Sequence, residues 1–178
     1  TISDFPIAYE TYGKLNSKKD NAILVFHALT GDQFASDINP ITQKDGWWKY
    51  AVGKGKAIDT NKYFVICANV LAGCMGSFGP SSINPKTGKS FGNDFPVITI
   101  NDMVNAQYFL LKHFHITKLF CVTGGSMGGM QVLQFVSNYP NAAQTAIPIA
   151  CTSNHSAQNI GLNELGRQAI MALSLIHI

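Results

Sequence analysis

Gly124-Gly125-Ser126-Met127-Gly128-Gly129 is the segment of this chain with the clearest chemical content. Gly124, Ser126 and Gly128 satisfy G-x-S-x-G, the spacing that sets a serine on a tight strand-to-helix turn. An apolar run, Leu119–Thr123, precedes it and a helical pattern follows it. The residues around such a serine must be small, so that the turn can close and a substrate can approach. The Ser126 hydroxyl then stands at a helix N-terminus, where peptide dipoles favour developing negative charge. Ser126 is therefore the candidate nucleophile, with Gly124 and Gly128 as the glycines of its elbow. The backbone N–H of Met127 is one expected oxyanion donor. A phosphate loop is the competing use of so many glycines. A Walker A loop would add Lys-Ser/Thr, and a dinucleotide loop would need G-x-G-x-x-G with an acidic residue about 20 positions on. Neither pattern is present.

A second oxyanion donor should come from a loop that follows an earlier strand. His27-Ala28-Leu29-Thr30-Gly31-Asp32 directly follows the apolar run Ala22–Phe26, so the N–H of Leu29 is the expected partner of Met127. His27 is not the expected base, because the catalytic order in this arrangement is nucleophile, then Asp or Glu, then His. A structural hydrogen-bonding role is expected for it instead. Downstream of Ser126 the only acidic residue is Glu164, and the only histidines are His155 and His177. Glu164 falls inside a predicted helix, and His177 is the second-to-last residue. The catalytic Asp and His are therefore expected to be absent from this chain.

The elements that must hold these residues alternate along the sequence. Ala22–His27, Tyr63–Ala68, Leu119–Thr123 and Gln144–Ala150 are continuous apolar runs of strand length. Such runs suit parallel strands buried on both faces. Pro148 is an awkward residue for a central strand. Ile7–Tyr12 reads as a half-exposed edge strand ending at Gly13. Helices are predicted over Thr99–His113, Ser126–Tyr139 and Gln158–Ala172. The first opens on Thr99-x-x-Asp102, a capping-box-like start, and the second stops at Pro140. Alternation of this kind implies right-handed crossovers and a mostly parallel sheet. Residues 71–98 break the rhythm with five Gly, three Pro and no periodicity. A loop this long in a compact domain is usually functional or disordered.

Composition narrows the classes. The chain has 178 residues, 46% hydrophobic and 13% charged, with a net charge of +3, which excludes a disordered segment and suggests one domain. No basic run beyond Lys18-Lys19 is present, so no nucleic-acid partner is expected. No apolar stretch is long enough for a membrane span, and residues 1–15 show no signal peptide. Cys67, Cys74, Cys121 and Cys151 have no CxxC spacing. Cys67 and Cys121 read as buried free thiols in a reducing cytosol. Cys74, in the Gly-rich loop, is the only one placed where a thiol could face a pocket, but no His or Arg lies close in sequence to lower its pKa, so a packing role is expected for it.

With these motifs in place, the chain resembles the homoserine O-acetyltransferase family. The matching segments are His27–Asp32, Asn69–Gly88, Phe95-Pro96 with Thr99 and Asp102, Gly124–Gln131 and Ser156–Ile170. The resemblance implies an α/β-hydrolase fold, a mostly parallel sheet with flanking helices, whose C-terminal part (lid and last strands) lies outside this chain. It implies double displacement: Ser126 takes an acyl group from acyl-CoA, with acetyl-CoA as the expected co-substrate, and the hydroxyl of L-homoserine then attacks the acyl-enzyme. Met127 and Leu29 would stabilise the oxyanion in both halves. The setting would be methionine biosynthesis in the cytoplasm, with no bound cofactor, no metal and no membrane partner, and with room for a homodimer of the full-length protein. A serine or homoserine O-succinyltransferase, a related hydrolase and an inactive fragment are the alternatives. Ala72 and Phe78 depart from the family pattern, and Phe78 either reshapes the pocket or is a neutral surface change. Arg167 is expected on a helix surface rather than as a substrate anchor. The likeness stops after Ala172. Residues 1–172 are thus expected to form a partial domain carrying the nucleophile, and residues 173–178 a non-native tail. Such a chain would present an open sheet edge and dissolve poorly.

Overall fold

The computed structural model describes residues 5–173. Its strands are β1 (Tyr9–Tyr12), β2 (Ala22–Phe26), β3 (Val52–Gly53), β4 (Ile58–Asp59), β5 (Phe64–Ala68), β6 (Leu119–Gly125) and β7 (Ala143–Ile149). Its α-helices are α1 (Ile100–His113), α2 (Met127–Asn138) and α3 (Ala157–Ala172). Five strands make one sheet in the order β1-β5-β2-β6-β7. β1 runs antiparallel to β5, and every other pairing in that sheet is parallel. The predicted runs thus all form strands, with ends shifted by a residue or two. β3 and β4, a short parallel pair, are an addition that the sequence did not signal, because two residues carry no periodicity.

The continuous apolar runs become strands buried on both faces. Alternation sends Leu24 and Phe26 to one face of β2 and Ile23 and Val25 to the other. The first set packs with Ile66, Leu111, Val122, Val132 and Phe135 beneath α1 and α2. The second set packs with Val65, Cys67, Cys121, Val52 and the Trp47–Trp48 pair under the loops that carry β3 and β4. Cys67 and Cys121 are buried free thiols, and burial pushes both thiols up from their ordinary range.

α1 begins as its sequence predicts. The Thr99 side chain accepts from the Asp102 N–H, and the Asp102 carboxylate accepts from the Thr99 N–H at 2.8 Å. The Thr99 side-chain bond, followed by that backbone bond, holds Asp102 below the usual carboxylate range. α1 lies beside α2. Gln107 and Gln131 join them through a buried hydrogen bond of 3.2 Å, and Tyr108 stacks on Tyr139.

Pro148 is accommodated because β7 is an edge within the described residues. The Ile149 carbonyl accepts from Ser126 N–H, so the backbone groups of Ile149 face β6. Those of Pro148, one residue earlier, face the open side, where no ladder hydrogen bond is lost. α3 buries none of its residues, and Leu165, Ile170 and Met171 stand exposed along it. Leu173 closes α3, its N–H bonding the Ala169 carbonyl; residues 174–178 of the expected tail lie outside the described residues.

The long loop has its own organisation. It contains one 3-10 turn, Gly92–Asp94, and a bridge between Ile83 and Ser90. Phe78 packs with Phe5, Phe91 and Phe95 at centroid separations of 5.3–6.3 Å. This departs from both readings of Phe78. Its ring is neither a surface change nor part of the cleft beside Ser126; it is half-buried in the aromatic cluster that holds the loop together.

Candidate active site

Ser126 joins the end of β6 to the start of α2. Its φ of 55° and ψ of −120° lie in a region that side-chain-bearing residues rarely occupy. Two hydrogen bonds hold it there. Its N–H donates to the Ile149 carbonyl of β7 at 3.0 Å, and its carbonyl accepts from Met130 N–H at 3.0 Å. Ser126 is exposed, and its side chain does not cap the helix. Met127 opens α2, so its N–H belongs to the first turn, whose amides have no intrahelical acceptor.

The two motif glycines are required by contact. A Cβ on Gly124 would lie 2.6 Å from the Phe26 carbonyl oxygen, and one on Gly128 would lie 2.2 Å from the same atom. The end of β2 is therefore pressed against the elbow, which brings His27 and the residues after it beside the N-terminus of α2. Gly125, by contrast, has open space where its side chain would be. Gly129 was not singled out from sequence, yet a Cβ there would lie 2.7 Å from Cys151 Sγ. Nothing local to GGSMGGMQ signals that constraint, because Cys151 arrives from beyond β7.

An open cleft of about 450 Å³ lies over Ser126. Met130, Cys151, Thr152, His155 and Asn159 are among its walls. The thiol at this cleft is Cys151, and Cys74 does not take the packing role expected of it. Cys74 is exposed in the long loop, whereas Cys151 follows β7 directly and shares the serine's side of the sheet. Leu29 is 76% exposed and does not line the cleft; its backbone alone is the candidate group.

His27 is 1% exposed and both of its ring nitrogens are engaged. Nδ1 lies 2.7 Å from the Ala28 carbonyl oxygen, and Nε2 accepts from Val70 N–H at 3.0 Å. Burial pushes its pKa below the ordinary value of 6.5, keeping the ring neutral. That is the structural role expected of it. Of the downstream groups, His155 lines the same cleft as Ser126, but its Nδ1 is 3.3 Å from Asn163 Nδ2. Among the described residues, no imidazole hydrogen-bonds the Ser126 hydroxyl. Glu164 turns to the surface of α3, paired with Arg167 and bonded by Gln168 at 2.7 Å. Gln168 and then Arg167 hold its carboxyl below the usual range. Arg167 is the helix-surface residue it was expected to be. His177 lies outside the described residues.

A strained serine on a strand-to-helix turn, at the end of a mostly parallel sheet, defines a class, and the comparison with known families agrees. A profile described as alpha/beta hydrolase fold matches residues 21–165, so the chain belongs to that family. Within it, the chain is 73% identical over 172 residues to the homoserine O-acetyltransferase of Pelagibacter ubique, covering 97% of this chain and 46% of that protein. The crystal structure of a homoserine O-acetyltransferase from Bacillus anthracis is 37% identical, with a TM-score of 0.80 over 85% of this chain and 42% of its own. An acetylester hydrolase from Corynebacterium glutamicum is 31% identical, with a TM-score of 0.81 over 96% of this chain and 45% of its own. The chain therefore spans less than half the length of these relatives. Among the described residues, no helix is long and apolar enough to cross a membrane.

Proposed function

We propose that the protein carrying this chain transfers an acetyl group from acetyl-CoA to the hydroxyl of L-homoserine, in the methionine pathway of the cytoplasm. The observation that carries the reading is the 73% identity to a homoserine O-acetyltransferase over 172 residues, a span that includes the elbow. Ser126 Oγ attacks the thioester carbonyl, CoA leaves as the thiol, and an acetyl-serine forms. The homoserine hydroxyl then attacks that ester, its proton passes to a base, and O-acetylhomoserine leaves with Ser126 restored. Met127 N–H and Leu29 N–H receive the oxyanion in both steps. Ser126 has no bonded imidazole among the described residues, so the base and its acid are proposed to lie in the part of the relatives' length that this chain does not span. On this reading the 178-residue chain alone turns over slowly, because serine and oxyanion donors without a base retain little catalysis.

The test is to incubate the full-length product of the gene encoding this chain with acetyl-CoA and homoserine, following thiol release and O-acetylhomoserine by mass. Ser126→Ala should abolish both signals. Product formation in that variant would overturn the acyl-enzyme. The likeness to an acetylester hydrolase favours one second reading, hydrolysis of acetyl esters. Free acetate in place of O-acetylhomoserine would select it. Succinyl-CoA in place of acetyl-CoA distinguishes the remaining donor.

A further inference from the structure

His27 takes no part in the chemistry above, yet it is among the largest fully buried side chains of the protein. Its protonation state follows from its neighbours. Val70 N–H is a fixed donor and points at Nε2 from 3.0 Å, so Nε2 carries no hydrogen. A neutral ring must then carry its hydrogen on Nδ1, and that N–H donates to the Ala28 carbonyl at 2.7 Å. Gly31 N–H donates to the same carbonyl at 2.9 Å. The Ala28 carbonyl and the Leu29 N–H belong to one planar trans peptide, in which they point in opposite directions. Fixing the first therefore fixes the second.

We infer that His27 is a positioning residue, whose imidazole aims the Leu29 N–H at the acyl oxygen by holding the Ala28 carbonyl on the other side of the same peptide. The inference rests on the acyl-enzyme reading given above. The ring has a support of its own. Val70 begins the long Gly/Pro loop, and Gln33 Nε2 ties the segment after β2 to Met75 of that loop at 3.0 Å. Asn69 accepts from Met75 N–H and from Ser77 Oγ, so the turn presenting Val70 N–H is itself closed. The turn from Asn69 to Ser77, at the start of the long loop, thereby reaches the Leu29 peptide through one histidine.

Two amide substitutions separate aiming from mere anchoring. In His27→Asn the side-chain NH₂ takes the place of Nδ1–H and can still hold the Ala28 carbonyl, while Val70 N–H loses its acceptor. In His27→Gln the side-chain oxygen reaches the place of Nε2, keeping Val70 but releasing Ala28. The experiment uses the full-length gene product and the pre-steady-state burst of nitrophenolate from p-nitrophenyl acetate, with thermal melts alongside. His27→Gln should slow acylation of Ser126 by roughly 10–100-fold, short of the loss expected for deleting an oxyanion donor outright. His27→Asn should restore the rate to within about threefold of wild type while melting lower, from the orphaned Val70 N–H. Equal losses in both variants, or a wild-type rate in His27→Gln, would overturn the inference. Wild-type protein that acylates from the nitrophenyl ester but releases no CoA with homoserine would sink the proposed function and leave the comparison of variants intact. A wild type whose Ser126 is not acylated would overturn both.

Discussion

β2 and β7 are both short apolar runs in parallel pairing, yet they end in opposite environments. β2 lies between β5 and β6, and all five of its residues are buried. Among the described residues β7 pairs with β6 alone, and six of its seven residues are exposed, Ile147 at 53% among them. Apolar composition makes a strand; its neighbours make it a core strand. The contrast passes directly into the site. The ground behind the elbow, built from β2 and carrying His27 and the Leu29 backbone, rests on a closed core. The wall built from β7 and α3, with Cys151 and His155, rests on elements that bury little. Ser126 therefore stands between a firm support on the β2 side and an open wall on the β7 and α3 side.

The largest effect that would sharpen this contrast is at the firm side. Gly128→Ala places a methyl 2.2 Å from the Phe26 carbonyl oxygen, where backbone must move. Activity of the full-length product should be lost and its melting temperature lowered, whereas Gly125→Ala, with open space, should melt as the parent does. A Gly128→Ala protein with normal turnover would break the argument. Next is the pair Leu24→Ala and Ile147→Ala in urea unfolding of the 178-residue chain. The first should cost about 3–5 kcal/mol through a cavity and the second less than about 1 kcal/mol. Equal losses would show that β7 is covered in solution.

A smaller effect concerns pH. His27 has a folded-state pKa below 6.5, so the unfolded chain binds its proton more readily. Its contribution to stability is present above pH 6.5 and is lost as pH falls below that value toward the folded pKa. Melting temperature should therefore drop on acidification in this range, and His27→Asn should flatten the slope. An unchanged slope would remove His27 from the account. The smallest effect lies on the open side. Gly161→Ala and Gly166→Ala in α3 meet nothing within 4 Å and should each stabilise by about 0.5–1 kcal/mol, read as a rise in melting temperature.

What was legible in the sequence follows how local each signal is. Ser126, Gly124 and Gly128 were readable because an elbow is built from contiguous residues with fixed steric demands. β2, β5, β6 and the Thr99–Asp102 box were readable for the same reason, since burial on both faces and capping leave their marks within a few positions. Gly129 against Cys151, and His155 at the serine's cleft, were not, because each pairs positions brought together only when β7 docks on β6. The aromatic cluster of Phe5, Phe78, Phe91 and Phe95 has no period, so its spacing looked like loop. His27 was assigned a structural role from its order in the chain; its partners, Ala28, Val70 and Asn69, became visible only in the fold.

Pro148 sets the terms on which anything can join the side of β7 that is unpaired among the described residues. A strand arriving there meets a carbonyl at Pro148 but no donor, so an incoming chain forfeits one rung wherever it places an acceptor opposite that residue. Alignments that seat a side chain or a bend at that point lose nothing. The open edge thus screens its visitors by spacing before it weighs their hydrophobicity. A correctly phased segment is admitted without that loss.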